Sequence, residues 1–188
     1  MEEDCPSYVL KMVALGDGAV GKTSCIMRYT EGSFGENYKA TIGTNIAVKI
    51  VDIELRKGER KKAQVVLWDL AGQPTYKDLR SRYMTGSSIA FIVYDVTRPP
   101  TFLNVADWYN TFVTVCPEAV AILVANKVDC EEHAVPREAG EMVSRWLGID
   151  WIETSAKTGE NVEMMFTKCV EKAIGKEEDR LDQKSSRT

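Results

Sequence analysis

The string Gly16-Asp17-Gly18-Ala19-Val20-Gly21-Lys22-Thr23 fits the pattern G-x-x-x-x-G-K-[ST] in full. It follows a mostly apolar run at 9–15 and precedes a helix-like stretch from Lys22 to about Tyr29. A strand therefore delivers the chain to a glycine-rich turn that opens a helix. The backbone N–H groups of such a turn and the helix N-terminus face one point, which suits a polyphosphate. Gly16, Gly18 and Gly21 leave no side chain to block the approach. Lys22 can neutralise the outer phosphates, and the Thr23 hydroxyl can hold Mg²⁺. The competing reading, a purely structural glycine turn, weakens as further motifs follow in order.

Strand-like and helix-like segments alternate along the whole chain. Residues 45–55 and 63–69 look extended and are joined by a charged turn containing Gly58, which predicts an antiparallel hairpin. Residues 89–96 and 119–125 are nearly continuous apolar runs, as in strands buried on both faces of a parallel sheet. Val162, Met165, Phe166, Cys169, Val170, Ala173 and Ile174 recur at helical spacing. So do Phe102, Val105, Ala106, Tyr109, Phe112 and Val113, and a shorter stripe of Met142, Val143, Trp146 and Leu147. All three stripes are expected to be core. Alternation of this kind predicts an α/β sheet with helices on both faces and ligands at the C-terminal ends of the strands. A length of 188 residues favours one domain, and a net charge of −4 implies neither a nucleic-acid surface nor a polybasic membrane patch. Glu2 rules out N-myristoylation, no apolar run approaches a membrane span, and the N-terminus lacks a signal-peptide core. Cysteines 5, 25, 116, 130 and 169 have no paired spacing, which points to a reduced cytoplasmic setting. The single histidine, His133, cannot support a histidine metal cluster and is expected on a solvated loop.

The phosphate loop does not name the base, but Asn126-Lys127-Val128-Asp129 does. A guanine edge offers two donors, N1–H and N2–H₂, and the Asp129 carboxylate can accept both. An adenine edge would leave that carboxylate unpaired, at a cost of about 1–3 kcal/mol. Thr154-Ser155-Ala156-Lys157 closes a short strand at 150–153, where backbone N–H groups can meet the guanine O6 and a lysine stem can cover the ring. Trp68-Asp69-Leu70-Ala71-Gly72-Gln73 ends another strand. Asp69 suits a Mg²⁺ role, the Gly72 N–H can meet a γ-phosphate, and Gln73 can orient an attacking water. Thr41 is a candidate second hydroxyl on Mg²⁺. Each tetrapeptide alone is a weak signal; in this order behind a phosphate loop they are a strong one.

With these residues in place, the chain resembles a small GTPase of the Ras superfamily, most closely the Rab branch. The match runs from residue 8 to about 174 and rests on five motifs in the family's order: Gly16 to Ser24, Thr41-Ile42-Gly43, Trp68 to Gln73, Asn126 to Asp129, and Glu153 to Lys157. The resemblance implies a P-loop NTPase fold, a three-layer sandwich whose six-stranded, mostly parallel sheet is flanked by five helices. It implies an extension at 1–7, a GTPase domain at 8–174 and a charged, fraying tail at 175–188. It also implies bound GTP or GDP with Mg²⁺ and slow GTP hydrolysis. Phe34 falls where the family stacks an aromatic beside the guanine, and Tyr38 where a tyrosine closes over the phosphates. Lys22, Gly72 and Gln73 are the implied catalytic groups, and Thr23, Thr41 and Asp69 the metal ligands. Residues 34–46 and 71–83 are the implied switch segments. Ile42, Ile46, Trp68 and Tyr83 would face effectors. Partners would be an exchange factor, a GTPase-activating protein and effectors, with the chain itself a monomer.

Three departures from that pattern bear on function. Thr44-Asn45-Ile46 stands where Rab proteins carry Val-Asp-Phe, so the effector triad has an aliphatic member. Leu70 and Pro74 replace the usual Thr and Glu around Ala-Gly-Gln, and Pro74 fixes its own φ beside Gln73. The last cysteine is Cys169, so no prenylation motif is present and membrane association is expected only through partners or a lipidated tail outside this sequence. Pro74 and the altered effector loop support a second reading, a nucleotide-bound adaptor that barely turns over. A nucleotide kinase or ATPase is a third reading, disfavoured by Asn126–Asp129 and the short chain.

Overall fold

The structure, a computed structural model, describes residues 5–35, 41, 43–55, 58–72 and 77–185. Six strands form one sheet: β1 (Tyr8–Leu15), β2 (Thr44–Glu54), β3 (Arg60–Leu70), β4 (Ile89–Asp95), β5 (Val120–Asn126) and β6 (Asp150–Thr154). Their order is β2-β3-β1-β4-β5-β6. All neighbours are parallel except β2 and β3, which form the expected hairpin. Every residue of β4 is buried, so its apolar run serves both faces of the sheet.

The helices are α1 (Lys22–Glu31), α2 (Lys77–Met84), α3 (Pro99–Leu103), α4 (Val105–Val115), α5 (Arg137–Leu147) and α6 (Val162–Ser185). Five were expected; α3 is a five-residue entry to α4, started by Pro99 and Pro100 and separated from it by Asn104 alone. Tyr29 of α1 stacks on Phe166 of α6 with centroids 4.0 Å apart, and Phe166 meets Phe91 of β4 edge-on. That cluster covers one face of the sheet. Met84 of α2, Trp108 and Phe112 of α4 and Val143 and Leu147 of α5 cover the other. The result is the three-layer sandwich.

Two sequence expectations are corrected. In α5 the buried residues are Gly140 and Ser144, with Ala139, Val143 and Leu147 partly buried beside them, while Met142 and Trp146 stand 64% and 72% exposed. The two rows are adjacent on one helix, and only one can face the sheet. The tail does not fray after Gly175: α6 continues to Ser185. Its residues beyond Gly175 are mostly good helix formers, and Arg180 pairs with Glu177 one turn back at 2.8 Å.

The sheet order reverses at β1, which lies between β3 and β4. The loop after Leu15 therefore opens at the switch point of an α/β sheet, where the helices on the two sides diverge. Leu70, Asp95, Asn126 and Thr154 end their strands at the same edge.

Candidate functional site

A cavity of about 700 Å³ lies at that edge. Gly18, Gly21, Lys22, Thr23 and Ser24 line it from the phosphate loop, Phe34 and Thr41 from the next connection, and Gly72 from the end of β3. Asn126, Lys127, Asp129, Ala156 and Lys157 line its other end. A larger hollow of about 950 Å³ at the opposite end of the sheet, among Ile53, Tyr109 and Lys176, brings no motif together.

The phosphate loop is set by backbone geometry. Gly16 and Gly21 take φ of 129° and 101°, and Ala19 takes 61°, a left-handed value that costs a non-glycine residue about 1–3 kcal/mol. A Cβ on Gly16 would meet the Val93 carbonyl oxygen at 2.2 Å, and one on Gly21 would meet Asn126 Nδ2 at 2.1 Å. Gly72 is as tightly placed, since a Cβ there would lie 2.4 Å from the Asp17 carbonyl carbon. Lys22 donates to the Gly16 and Asp17 carbonyls at 2.8 and 2.7 Å, which holds its ammonium along the loop. Val20 is fully buried in the core, so its contribution to the site is its backbone.

Three oxygens from separate segments meet beside Lys22. The Thr23 hydroxyl donates to Asp69 Oδ2 at 2.5 Å and lies 2.9 Å from the Thr41 hydroxyl, which is 3.4 Å from the same carboxylate oxygen. Asp69 Oδ1 is buried and has no hydrogen-bond partner among the described residues. Burial pushes the Asp69 carboxyl above the ordinary carboxylate range; Thr23, Lys22 and Thr41 pull it only part of the way back. A buried carboxylate with an orphaned oxygen, flanked by two hydroxyls, fits a hard divalent cation.

The other end of the cavity is stitched together by side chains. Asn126 donates from its amide nitrogen to the Val20 carbonyl at 2.8 Å. Its amide oxygen accepts from the Thr154 hydroxyl at 3.1 Å and the Ala156 N–H at 3.2 Å. One buried amide thus joins the phosphate loop to the 154–157 segment. Ser155 donates to Asp129 Oδ1 at 2.6 Å, which orients that carboxylate, and Lys157 Nζ lies 3.9 Å from its other oxygen. Lys127 holds a left-handed φ of 72°.

Several residues that hold the site carry no motif. Arg28 of α1 donates to the carbonyls of Ala156, Lys157 and Gly32 at 3.0, 2.5 and 2.8 Å, with its guanidinium 6.0 Å from the Phe34 ring. Asp95, at the end of β4, accepts from Lys127 Nζ at 2.6 Å and Arg98 Nε at 2.8 Å. Burial opposes its ionisation, yet the hydrogen bonds from Lys127, Thr97 and Arg98 hold its carboxyl below the usual range. Arg98 also reaches the Gly18 carbonyl at 3.0 Å. The Asp17 side chain accepts from Asn104 at 2.7 Å and the Trp108 indole at 2.8 Å, so it ties the loop to α4. Asp95 ends β4, but Val96 carries the apolar run one residue further, so the sequence does not mark it as it marks Asp69 and Asn126. Nothing local marks Arg28, Asn104 or Trp108.

Of the remaining candidates, Ile46 is half exposed and faces Trp68 across the hairpin, and Trp68 lies 6.1 Å from Tyr83 between centroids. Tyr38, Ile42, Gln73 and Pro74 lie outside the described residues. Cys25, Cys116 and Cys169 are buried, and burial pushes the Cys25 and Cys169 thiols up to about 12.

A strand–loop–helix phosphate cradle, an oxygen cluster for a divalent cation and a carboxylate poised for a guanine edge define a guanine-nucleotide-binding protein of the P-loop class. Known proteins agree. The Ras family model matches residues 11–175. The Ras-related protein RABA5b of Arabidopsis thaliana is 41% identical over 161 residues, covering 85% of this chain and 72% of that protein. The Ras-related protein SEC4 of Saccharomyces cerevisiae is 36% identical over 159 residues, 84% of this chain and 72% of its own length. The Ras-related protein Rab-18-B of Danio rerio is 36% identical over 167 residues, 88% and 79% respectively. The chain belongs to the Ras family and is a Rab-like small GTPase, a switch that binds and hydrolyses GTP.

Proposed function

We propose that this GTPase works in vesicle traffic, holding different partner proteins according to the nucleotide in its cavity. Similarity to three Rab-related proteins supports that role. The observation that carries the site chemistry is the convergence of Lys22, Thr23, Thr41 and Asp69 on one end of a cavity whose other end is Asn126, Asp129 and Ala156. Asp129 accepts the two guanine donors, and Phe34 and the Lys157 stem enclose the ring. Lys22 and the loop N–H groups neutralise charge that moves toward the leaving oxygen. Thr23, Thr41 and Asp69 would hold Mg²⁺, which would supply further charge neutralisation on the phosphates. Gln73 orients water in line with the γ-phosphorus, and the Gly72 N–H meets the γ-phosphate. Intrinsic turnover is slow, on the order of 10⁻⁴–10⁻² s⁻¹, until an activating protein adds a cation.

While the γ-phosphate is present, Thr41 and Gly72 are drawn to it, and residues 34–46 and 71–83 take the form that effectors grip through Ile42, Ile46, Trp68 and Tyr83. An exchange factor reloads the site. The chain works at the cytoplasmic side of membranes, reached through partners or through a lipidated tail outside this sequence. Among the described residues no helix is long and apolar enough to cross a membrane. Single-turnover hydrolysis of bound GTP tests the reading. Phosphate release is expected within hours, slowed roughly tenfold or more by Gln73→Leu at near-normal GTP affinity. Tight GTP binding with no release in either protein would leave a nucleotide-holding adaptor in its place.

A further inference from the structure

Strand β2 ends the sheet, and among the described residues nothing pairs with its outer side. Its alternate residues Ile46, Val48 and Ile50 are 50%, 55% and 54% exposed. Ala47, Val51 and Ile53 turn the other way, into the core. The exposed row continues inward across the register: Ile46 to Trp68, Val48 to Val66, Ile50 to Gln64 and on to Val9 of β1.

The backbone polar groups of this edge face outward. The Ile46 N–H donates to the Asn45 side chain at 3.0 Å and therefore points away from β3. By the alternation of an antiparallel ladder, Val48 and Ile50 turn their N–H and C=O groups the same way. Edge strands are ordinarily guarded by an outward lysine, a proline or a bulge. The segment 46–50 holds one charge, Lys49, and its ammonium is drawn to the opposite face, to the Tyr29 carbonyl at 2.7 Å.

A contact between two identical edges must be self-complementary about a two-fold axis. Five registers centred within residues 46–50 present the outward-facing groups to each other. Centred on Ala47, the pairing sets Ile50 against Thr44, and centred on Lys49 it sets Lys49 against its own copy. Centred on Ile50, the pairing sets Val48 against Asp52 and Ile46 against Glu54. Centred on Ile46, it sets Val48 against Thr44. Centred on Val48, it sets Val48 against itself, Ile46 against Ile50, Ala47 against Lys49 and Thr44 against Asp52. Only the last makes an unbroken row of six aliphatic side chains with no like charges opposed.

We propose that a second copy of this chain docks edge to edge on β2, antiparallel, with Val48 on the axis. The sheet becomes continuous through both copies, and the expected monomer becomes one partner of a weak dimer. An edge contact of this length falls in the small, transient class, below about 1,200 Å² of buried surface. Val48 and Ile50 lie outside both the cavity lining and the segment 34–46, so failure of the dimer leaves the nucleotide reading untouched.

Sedimentation of the full GDP-loaded chain under reducing conditions tests it. The weight-average mass is expected to rise from 21.0 kDa toward twice that value with concentration. Val48→Lys should weaken association at least tenfold while GDP stays bound, since Val48 is exposed. In a Cys5→Ser background, oxidation should link Val48→Cys into a dimer and leave Asp52→Cys, which has Thr44 opposite it, largely unlinked. A mass of 21.0 kDa up to about 500 µM overturns the proposal. So does Val48→Lys associating as well as the parent, or linkage at position 52 as readily as at 48.

Discussion

The two ends of the nucleotide cavity are built on opposite plans. At the base end the protein satisfies itself. Asn126 makes three internal hydrogen bonds, Asp129 is fixed by Ser155, Lys127 is paired with Asp95, and Arg28 clamps the 154–157 segment. At the phosphate end it does not. Asp69 is buried with one oxygen unpartnered among the described residues, and its other oxygen is shared by two hydroxyls from different segments. The base end is a preformed template that decides what binds. The phosphate end is short of positive charge, so its arrangement depends on what the ligand brings. A switch needs this division: identity read by a rigid surface, state read by one that is incomplete alone.

The largest effect should come from altering the template. Asp129→Asn is expected to lower GDP affinity about a hundredfold or more, the scale of a buried group left mispaired, and to favour xanthine nucleotides. Equal GDP affinity in a competition titration would show that the base end is not read by this carboxylate. Next, Asp69→Asn should separate the two plans. It removes a buried, poorly satisfied charge, so the nucleotide-free chain should melt about 2 °C or more higher, while Mg²⁺ loses its ability to slow GDP release. A lower melting temperature would mean the phosphate end is already satisfied.

The smallest effect concerns acid. The Asp95 carboxyl is held below its unfolded value, so its stabilisation is complete above the ordinary carboxylate range and disappears as pH falls through the depressed folded value. Asp95→Asn should be less stable than the parent at neutral pH, and the difference should shrink below about pH 4 in denaturant titrations. A difference independent of pH would place the role of Asp95 in packing.

How much of this was legible beforehand depended on how local the cause was. The continuous apolar run of β4 and the stripe from Val162 to Ile174 declared themselves because burial demands them. The row containing Met142 and Trp146 misled, since a helical apolar row looks the same whether it faces a sheet or water. The charged tail misled because its composition suits both a solvated helix and a frayed end. In the site, residues that touch nucleotide were readable, since phosphate and guanine dictate residue type and order. The residues that hold them were not. Asp17 meets Trp108 across 91 positions, and Arg28 meets Ala156 across 128. Asp95 fell between these cases, hidden because Val96 carries the apolar run one residue past it.

The unbroken α6 has a mechanical consequence. Its 24 residues span about 36 Å, and residues 179–184 are exposed. A loose leash would let whatever is grasped there tumble freely. A stiff mast instead transmits torque, so a protein seizing its tip would inherit the orientation of the nucleotide-bearing body.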